Sequence, residues 1–198
     1  MLPSFKIGDN IFLLLVEMDE GIGARVKSGG CLLCGGPLHR SDYPRKPRGA
    51  LLVVVGELFS TRISLCCGRD GCRKRATPPS VRFLGRRVYL GVAVVMASIM
   101  ARAARTPREV SRTTGIPSRT VNRWRSWWQT DFVESRVYQE ERGRFLPPLA
   151  IEALPGSLLE RFAGAGVTAA MALVRTLGFV APLTTASVHG GSRFVREP

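Results

Sequence analysis

The sequence predicts an α+β protein, in which a small zinc-ribbon-like β module precedes a mainly α-helical helix-turn-helix domain. All five cysteines fall within the first 72 of 198 residues, in two clusters separated by a β-like stretch. After residue 86, apolar residues recur at helical spacing. Residues 29–85 are rich in Gly, Pro, Arg and Cys, whereas residues 86–130 look helical, so we expect two differently built regions in one chain.

We divide the chain into four parts. Residues 1–28 form a lead-in with one short apolar strand or helix, Ile11–Val16. Residues 29–85 form the cysteine module and its basic linker, and residues 86–130 the helix-turn-helix. Residues 131–198 form a helical C-terminal extension with two short helices.

The charge balance indicates a polyanionic partner. The chain carries 29 Lys+Arg against 15 Asp+Glu, a formal net charge of +14. Double-stranded DNA is the partner we expect, with an anionic membrane surface or simple solubility as alternatives. The longest apolar stretch, Val88–Ala101, is too short to span a bilayer, and no signal-peptide cleavage site follows Ile11–Val16. We therefore expect no membrane partner and a cytoplasmic, nucleoid-associated location.

The cysteine spacing predicts a Zn²⁺ site. Cys31 and Cys34 form a Cys-x-x-Cys pair followed by glycine, a spacing that brings two thiolates to one ion. Cys67 and Cys72 complete the set, with Cys66 as the alternative to Cys67. Four intervening residues between Cys67 and Cys72 lie nearer the usual spacing than five.

Other interpretations of the cysteines stay open. The first pair could be a redox pair, or the module could be a metal-free ribbon, and His39 could replace a cysteine ligand. The β-like runs Leu51–Phe59 and Thr61–Cys66 lie between the two half-sites, which is the order of a zinc ribbon.

A basic segment follows the last cysteine directly. Arg73, Lys74 and Arg75 are typical of a phosphate-binding edge, and a solvated charge run is the alternative. Pro78 and Pro79 then end any regular element.

Three helices are predicted between residues 86 and 130. Val88, Val92, Val95, Ile99 and Ala103 give the first helix its helical spacing. The second helix covers residues 107–113, with Thr106 as N-cap, Pro107 in its first position and Gly115 at its end. The third covers residues 117–129.

The third helix has an apolar face and a basic polar face. Val121, Trp124 and Trp128 are spaced to pack inward, whereas Trp127 lies off this face. Since Arg pairs with guanine and Asn with adenine in the major groove, the polar face predicts base readout. The outward residues are Ser118, Arg119, Asn122, Arg123 and Ser126, and Arg108, Arg112 and Arg125 are assigned to phosphates.

Residues 109–124 resemble helix-turn-helix segments of homeodomain-like transposases and regulators. The family's small residue, turn glycine and two core positions correspond here to Ser111, Gly115, Val121 and Trp124. Together with the cysteine module, residues 29–130 resemble the N-terminal DNA-recognition portion of bacterial insertion-sequence transposases. The resemblance implies a DNA-binding protein of mobile-element type, as a stand-alone subunit or a shortened transposase. A catalytic partner subunit or a self-dimer is compatible with it.

No catalytic centre is evident from the sequence. The acids after Glu109 do not fall in the strand-rich pattern of a transposase catalytic domain, and there is no phosphate-binding loop or nucleophile elbow. A zinc-containing transcriptional regulator remains an alternative. So does a metal-dependent nuclease or transposase that relies on Asp131 or Glu134.

Overall fold

The structure, a computed structural model, describes residues 9–45, 57–84, 90–101 and 106–185. The described chain contains helices and small antiparallel sheets, which is compatible with the predicted α+β class. Within these ranges no helix has the length and apolar character needed to cross a membrane.

The N-terminal segment differs from the short element predicted for it. Helix α1 covers Asp9–Ser28, 20 residues. Ile11, Phe12 and Leu15 are buried in the main core, while Val26 near the other end packs against the cysteine cluster. This helix therefore connects the two hydrophobic clusters formed by the described residues.

Two short antiparallel sheets follow. Strands β1 (Leu38–Arg40), β4 (Leu65–Cys67) and β5 (Arg75–Ala76) form one sheet in the order β1-β4-β5. Strands β2 (Tyr43–Pro44) and β3 (Thr61–Arg62) form the other.

The first predicted strand is only partly tested. Residues 51–56 of the run Leu51–Phe59 lie outside the described residues, and its end belongs to a 3₁₀ turn, Glu57–Ser60. The second run, Thr61–Cys66, is divided between β3 and β4.

The three predicted helices are present with nearly the expected bounds. Helix α2 covers Gly91–Met100, α3 covers Pro107–Thr114 and α4 covers Ser118–Gln129. Val88 and Ala103, expected in the first helix, lie outside the described residues.

The C-terminal region is helical and completes the core. Helices α5 (Asp131–Glu134), α6 (Arg136–Glu141), α7 (Gly156–Phe162) and α8 (Ala169–Val180) are joined by 3₁₀ turns at Arg142–Arg144 and Ile151–Ala153, and a third such turn, Ala181–Thr184, follows α8. Phe132 contacts the rings of Trp127, Trp128, Tyr138 and Phe179. Trp127, expected off the core face, is consequently only 5% exposed.

A buried ion pair fixes α1 to the segment before α2. The Nε atom of Arg82 donates to Asp19 at 2.7 Å, and both side chains are buried. The Ser80 hydroxyl and the Val81 N–H also donate to this carboxylate. Removing one partner of such a pair leaves an uncompensated buried charge, so the contact strongly constrains where α1 lies.

Candidate metal centre and nucleic-acid interface

The first cysteine loop follows the end of α1 and is closed by its own backbone. The Gly35 N–H donates to the Cys31 carbonyl at 2.7 Å, and the Cys31 N–H donates to Gly36 O at 2.9 Å. Gly30 and Gly35 have φ of +71° and +67°, a region that glycine adopts without strain. At Gly30 a β-carbon would in addition lie 3.2 Å from the Gly35 carbonyl oxygen. The loop conformation thus depends on these glycines.

The second cysteine loop connects β4 to β5. The Cys67 N–H donates to Lys74 O at 2.9 Å, and the Cys72 N–H donates to Arg69 O at 3.1 Å. Because β1 pairs Leu38 with Cys67, the sheet brings this loop beside the first one. The two loops come from residues distant in sequence but adjacent in space.

The four sulfur atoms of these loops form one compact group. Cys31 Sγ lies 3.8 Å from Cys72 Sγ, Cys34 Sγ lies 3.5 Å from Cys67 Sγ, and all four lie within 4.8 Å of one another. A tetrahedral ion with metal–sulfur bonds of about 2.3 Å places its sulfurs about 3.8 Å apart. The cluster therefore has dimensions that fit a metal ion.

Cys66 and His39, the two alternative ligands, lie outside this group. Successive side chains of a strand point to opposite faces, so Cys66 and Cys67 in β4 cannot both face the cluster. The Cys66 thiol donates to the Arg73 carbonyl at 3.4 Å instead. His39 in β1 lies against Gly68, where a β-carbon would be 2.4 Å from its Nε2.

Protonation differs among the thiols. The backbone N–H groups of Leu33 and Cys34 lower the pKa of Cys31 to about 7. The Arg69 N–H favours the Cys67 thiolate, but burial and hydrogen bonds to neighbouring thiols outweigh it and raise the pKa of Cys67 to about 12. The Lys74 N–H likewise lowers the pKa of Cys72, and here the Cys34 thiol and burial prevail, raising it above its usual value. A metal ion held by these sulfurs would therefore displace protons from Cys67 and Cys72 near neutral pH.

The three basic residues after Cys72 differ in the contacts they make. Arg73 and Lys74 are exposed. The Arg75 guanidinium donates to Ser41 O at 3.1 Å and to Ser64 Oγ at 3.0 Å. Arg75 thus helps hold β5 to the chain between β1 and β2, a local role that sequence reasoning missed.

A capping box begins α3, and one glycine ends it at the turn to α4. Thr106 accepts from the Glu109 N–H, and Glu109 Oε2 accepts from the Thr106 N–H, forming a capping box. Gly115 ends α3 in the left-handed region with φ +69°, as predicted, and Ile116 is buried at the turn. At the turn itself, the Gly115 N–H donates to Ser111 O at 2.8 Å and the Ile116 N–H donates to the Thr114 hydroxyl at 3.3 Å, so the path from α3 to α4 is set by a few neighbouring residues.

The inner face of α4 is buried as predicted. Val121, Trp124 and Trp128 are each at most 2% exposed. The Trp128 Nε1 donates to the Ser98 hydroxyl of α2 at 3.2 Å, so its polar atom is satisfied inside the core. This buried face fixes the rotation of α4 about its own axis.

The opposite face of α4 and its neighbourhood are exposed and basic. The exposed side chains are those of Arg108, Arg112, Arg119, Asn122, Arg123 and Ser126. Ser118 and Arg125 are half-buried, and Arg125 Nε lies away from solvent without a hydrogen-bond partner. Glu109, the only acid in residues 106–130, is engaged in the capping box.

The acids considered as a catalytic alternative do not form a cluster. Across the described ranges, the four cysteines are the only group of three or more His, Cys, Asp or Glu side chains placed to share a metal ion. Asp131 accepts from the Thr130 hydroxyl at the start of α5, and Glu134 at the end of that helix is exposed.

Comparison with protein-family models, with curated proteins and with solved structures finds no match to this chain.

Proposed function

We propose that this chain is a DNA-binding protein of transposase-like type, in which α3 and α4 act as a helix-turn-helix and the cysteine module as a zinc ribbon. The observation that carries the proposal is the two-sided character of α4. Its Val121, Trp124 and Trp128 side is buried, which leaves Arg119, Asn122 and Arg123 on an exposed side.

The mechanism is major-groove readout by a rigid helix. Arg119 and Arg123 have the planar donors that pair bidentately with guanine, and Asn122 has the amide that pairs with adenine. Arg108 and Arg112 on α3 are exposed and suited to phosphate contacts, which orient the helix but carry no sequence information. Since the core holds α4 fixed, little backbone ordering is needed on binding.

We propose Zn²⁺ as the metal of the cysteine cluster. Zinc prefers four-coordinate tetrahedral thiolate sites, and closed sites of this kind contribute to folding rather than to catalysis. Cys31, Cys34, Cys67 and Cys72 would hold the ion. Metal analysis of purified protein should give about one zinc per chain, and the absence of iron absorption bands would separate zinc from an iron–sulfur site.

Gel shifts with a pool of randomised duplexes test the proposed function. Specific duplexes should be enriched, and their affinity should fall steeply with salt because bound phosphates release counterions. Arg119→Ala should relax base preference at one position by about 1–3 kcal/mol. Arg136→Ala is the matched control, since it removes the same charge from an exposed surface pair with Glu140 on α6.

Two results would count against this proposal. Equal loss of base preference from Arg119→Ala and Arg136→Ala would mean that only net charge matters. A flat salt response would exclude the phosphate contacts.

A further inference from the structure

The tip of the first cysteine loop carries two leucines that no part of the described chain covers. Leu32 is 97% exposed and Leu33 is 72% exposed. Leucine is among the residues most often buried, and single exposed apolar residues need no explanation. Here, however, two adjacent leucines are exposed together at the tip of a closed loop. They form a small apolar surface that is available to another molecule.

This exposure is built into the loop. Cys31 on one side is buried, and the backbone bonds between Cys31 and the glycines Gly35 and Gly36 close the loop beneath the leucines. The sulfurs of Cys31 and Cys34 both point into the cluster. The two side chains between them are therefore held outward, away from the module's own core of Leu38 and Leu65.

Cationic residues lie in the segments next to this loop. Arg25 and Lys27 lie in the last turn of α1 just before the loop, and both are exposed. A β-carbon at Gly36 would lie 3.1 Å from the Arg69 side chain, which places Arg69 of the second loop beside the first. Arg73 and Lys74 follow Cys72, whose sulfur contacts that of Cys31.

The net charge of the two cysteine loops and the adjacent helix end favours an anionic partner. Asp70 is the only acid in the two cysteine loops, and a zinc tetrathiolate adds about two negative charges. The five cations of the adjacent segments outnumber these charges. Apolar side chains with cations nearby match those that enter a base step from the minor groove while Arg and Lys hold the phosphates.

We propose that Leu32 and Leu33 form an apolar wedge that inserts at a base step of duplex DNA from the minor groove, with Arg69, Arg73 and Lys74 on the flanking phosphates. This inference rests on the proposed function and assigns the cysteine module a task of its own. The module then distorts the duplex, while α4 reads its sequence in the major groove.

DNA is favoured over an anionic membrane for two reasons. Two leucines on one loop bury little apolar area, and a single small anchor gives only marginal membrane binding. A duplex, by contrast, can be held at a second point by the basic face of α4 on the same chain.

The test is a change in linking number. Zinc-loaded full-length protein is bound at saturation to a closed circular plasmid, which is relaxed with a topoisomerase and then stripped of protein. The double variant Leu32→Ser, Leu33→Ser is compared with Leu146→Ser, which removes another exposed leucine, 77% accessible and located after α6. Zinc content and plasmid binding are measured for each protein. If the double variant loses zinc, the single substitutions Leu32→Gln and Leu33→Gln replace it.

The expected result is a shift in linking number with wild type and with Leu146→Ser, and none with the double variant at saturating binding. An equal shift with the double variant would overturn the wedge. So would saturating binding by wild type without any shift, a result that leaves the proposed DNA-binding function intact. Failure to bind the plasmid at all would instead reject the proposed function itself.

A membrane arm completes the test. Vesicles of phosphatidylcholine and phosphatidylserine are floated with each protein. Flotation that the double variant loses, combined with an unchanged linking number, would assign the tip to a membrane and contradict the wedge.

Discussion

The cysteine module and the helical region are stabilised in different ways. Among the described residues, the module buries only Cys31, Leu38, Leu65 and Cys67 in its own cluster, and two of these belong to the group of four cysteines. The helical region buries a continuous core that extends from α1 through α8 and includes all three tryptophans. A core as small as the module's rarely supports a fold alone, so we expect metal to supply its stability and packing to supply that of the helices.

The largest expected effect is the loss of one ligand. Cys67→Ser should abolish stoichiometric metal binding, because three thiolates leave the tetrahedral site incomplete. Cys66→Ser is the matched control at the neighbouring position, and it should retain the metal since Cys66 faces away from the cluster. Metal content and thiol alkylation measure the difference. Loss of metal from both variants alike would mean that the cluster is not the site.

The second effect concerns the helical core. Trp124 is 2% exposed, and Trp124→Ala should cost about 3–5 kcal/mol of unfolding free energy. Denaturant unfolding followed by far-UV circular dichroism measures this change. The metal content of the folded variant should stay unchanged, and simultaneous loss of metal would show that the two regions do not separate as described.

The third effect is the dependence of metal affinity on pH. The thiols of Cys67 and Cys72 have raised pKa values, that of Cys67 about 12, so both are protonated near neutral pH in the metal-free cluster. Binding releases these two protons, and apparent affinity should therefore fall as pH is lowered, by at least about a hundredfold per pH unit. Chelator competition between pH 8 and 6 measures the slope, and a flat profile would contradict thiolate ligation.

The smallest expected effect is on the free energy of unfolding, when alanine replaces each of two glycines. Gly115→Ala places a side chain at φ +69°, where no neighbouring atom obstructs it, so its cost of about 1–2 kcal/mol is purely conformational. Gly21→Ala in the middle of α1 also meets no neighbour, but its backbone is helical. It should stabilise by about 0.5–1 kcal/mol. Thermal or denaturant unfolding should give shifts of opposite sign, and equal shifts would reject the left-handed turn.

The features that the sequence predicted correctly are those that neighbouring residues determine. The start of α3 at Thr106 and Pro107 and its end at Gly115 follow from neighbouring residues, and the structure confirms these bounds. The preference for Cys67 rested on spacing alone, whereas the alternation of side chains in β4 supplies the physical reason for it.

Features that depend on distant contacts could not be predicted in this way. The apolar run at Ile11–Val16 gave no sign that α1 continues past it, because the continuation buries Asp19, whose partner Arg82 lies 63 residues away. Trp127 appeared to lie off the core face because its contact Phe132 belongs to the region after α4. The exposure of Leu32 and Leu33 likewise results from the closure of the loop, which composition does not reveal.

The measurement that tests the account most directly is hydrogen exchange of the zinc-loaded protein with and without a selected duplex. Binding should protect peptides from residues 106–126 and from the two cysteine loops, while α7 and α8 exchange as before. Protection confined to the C-terminal helices, with residues 106–126 unchanged, would contradict the assignment of α4 as the helix that contacts DNA.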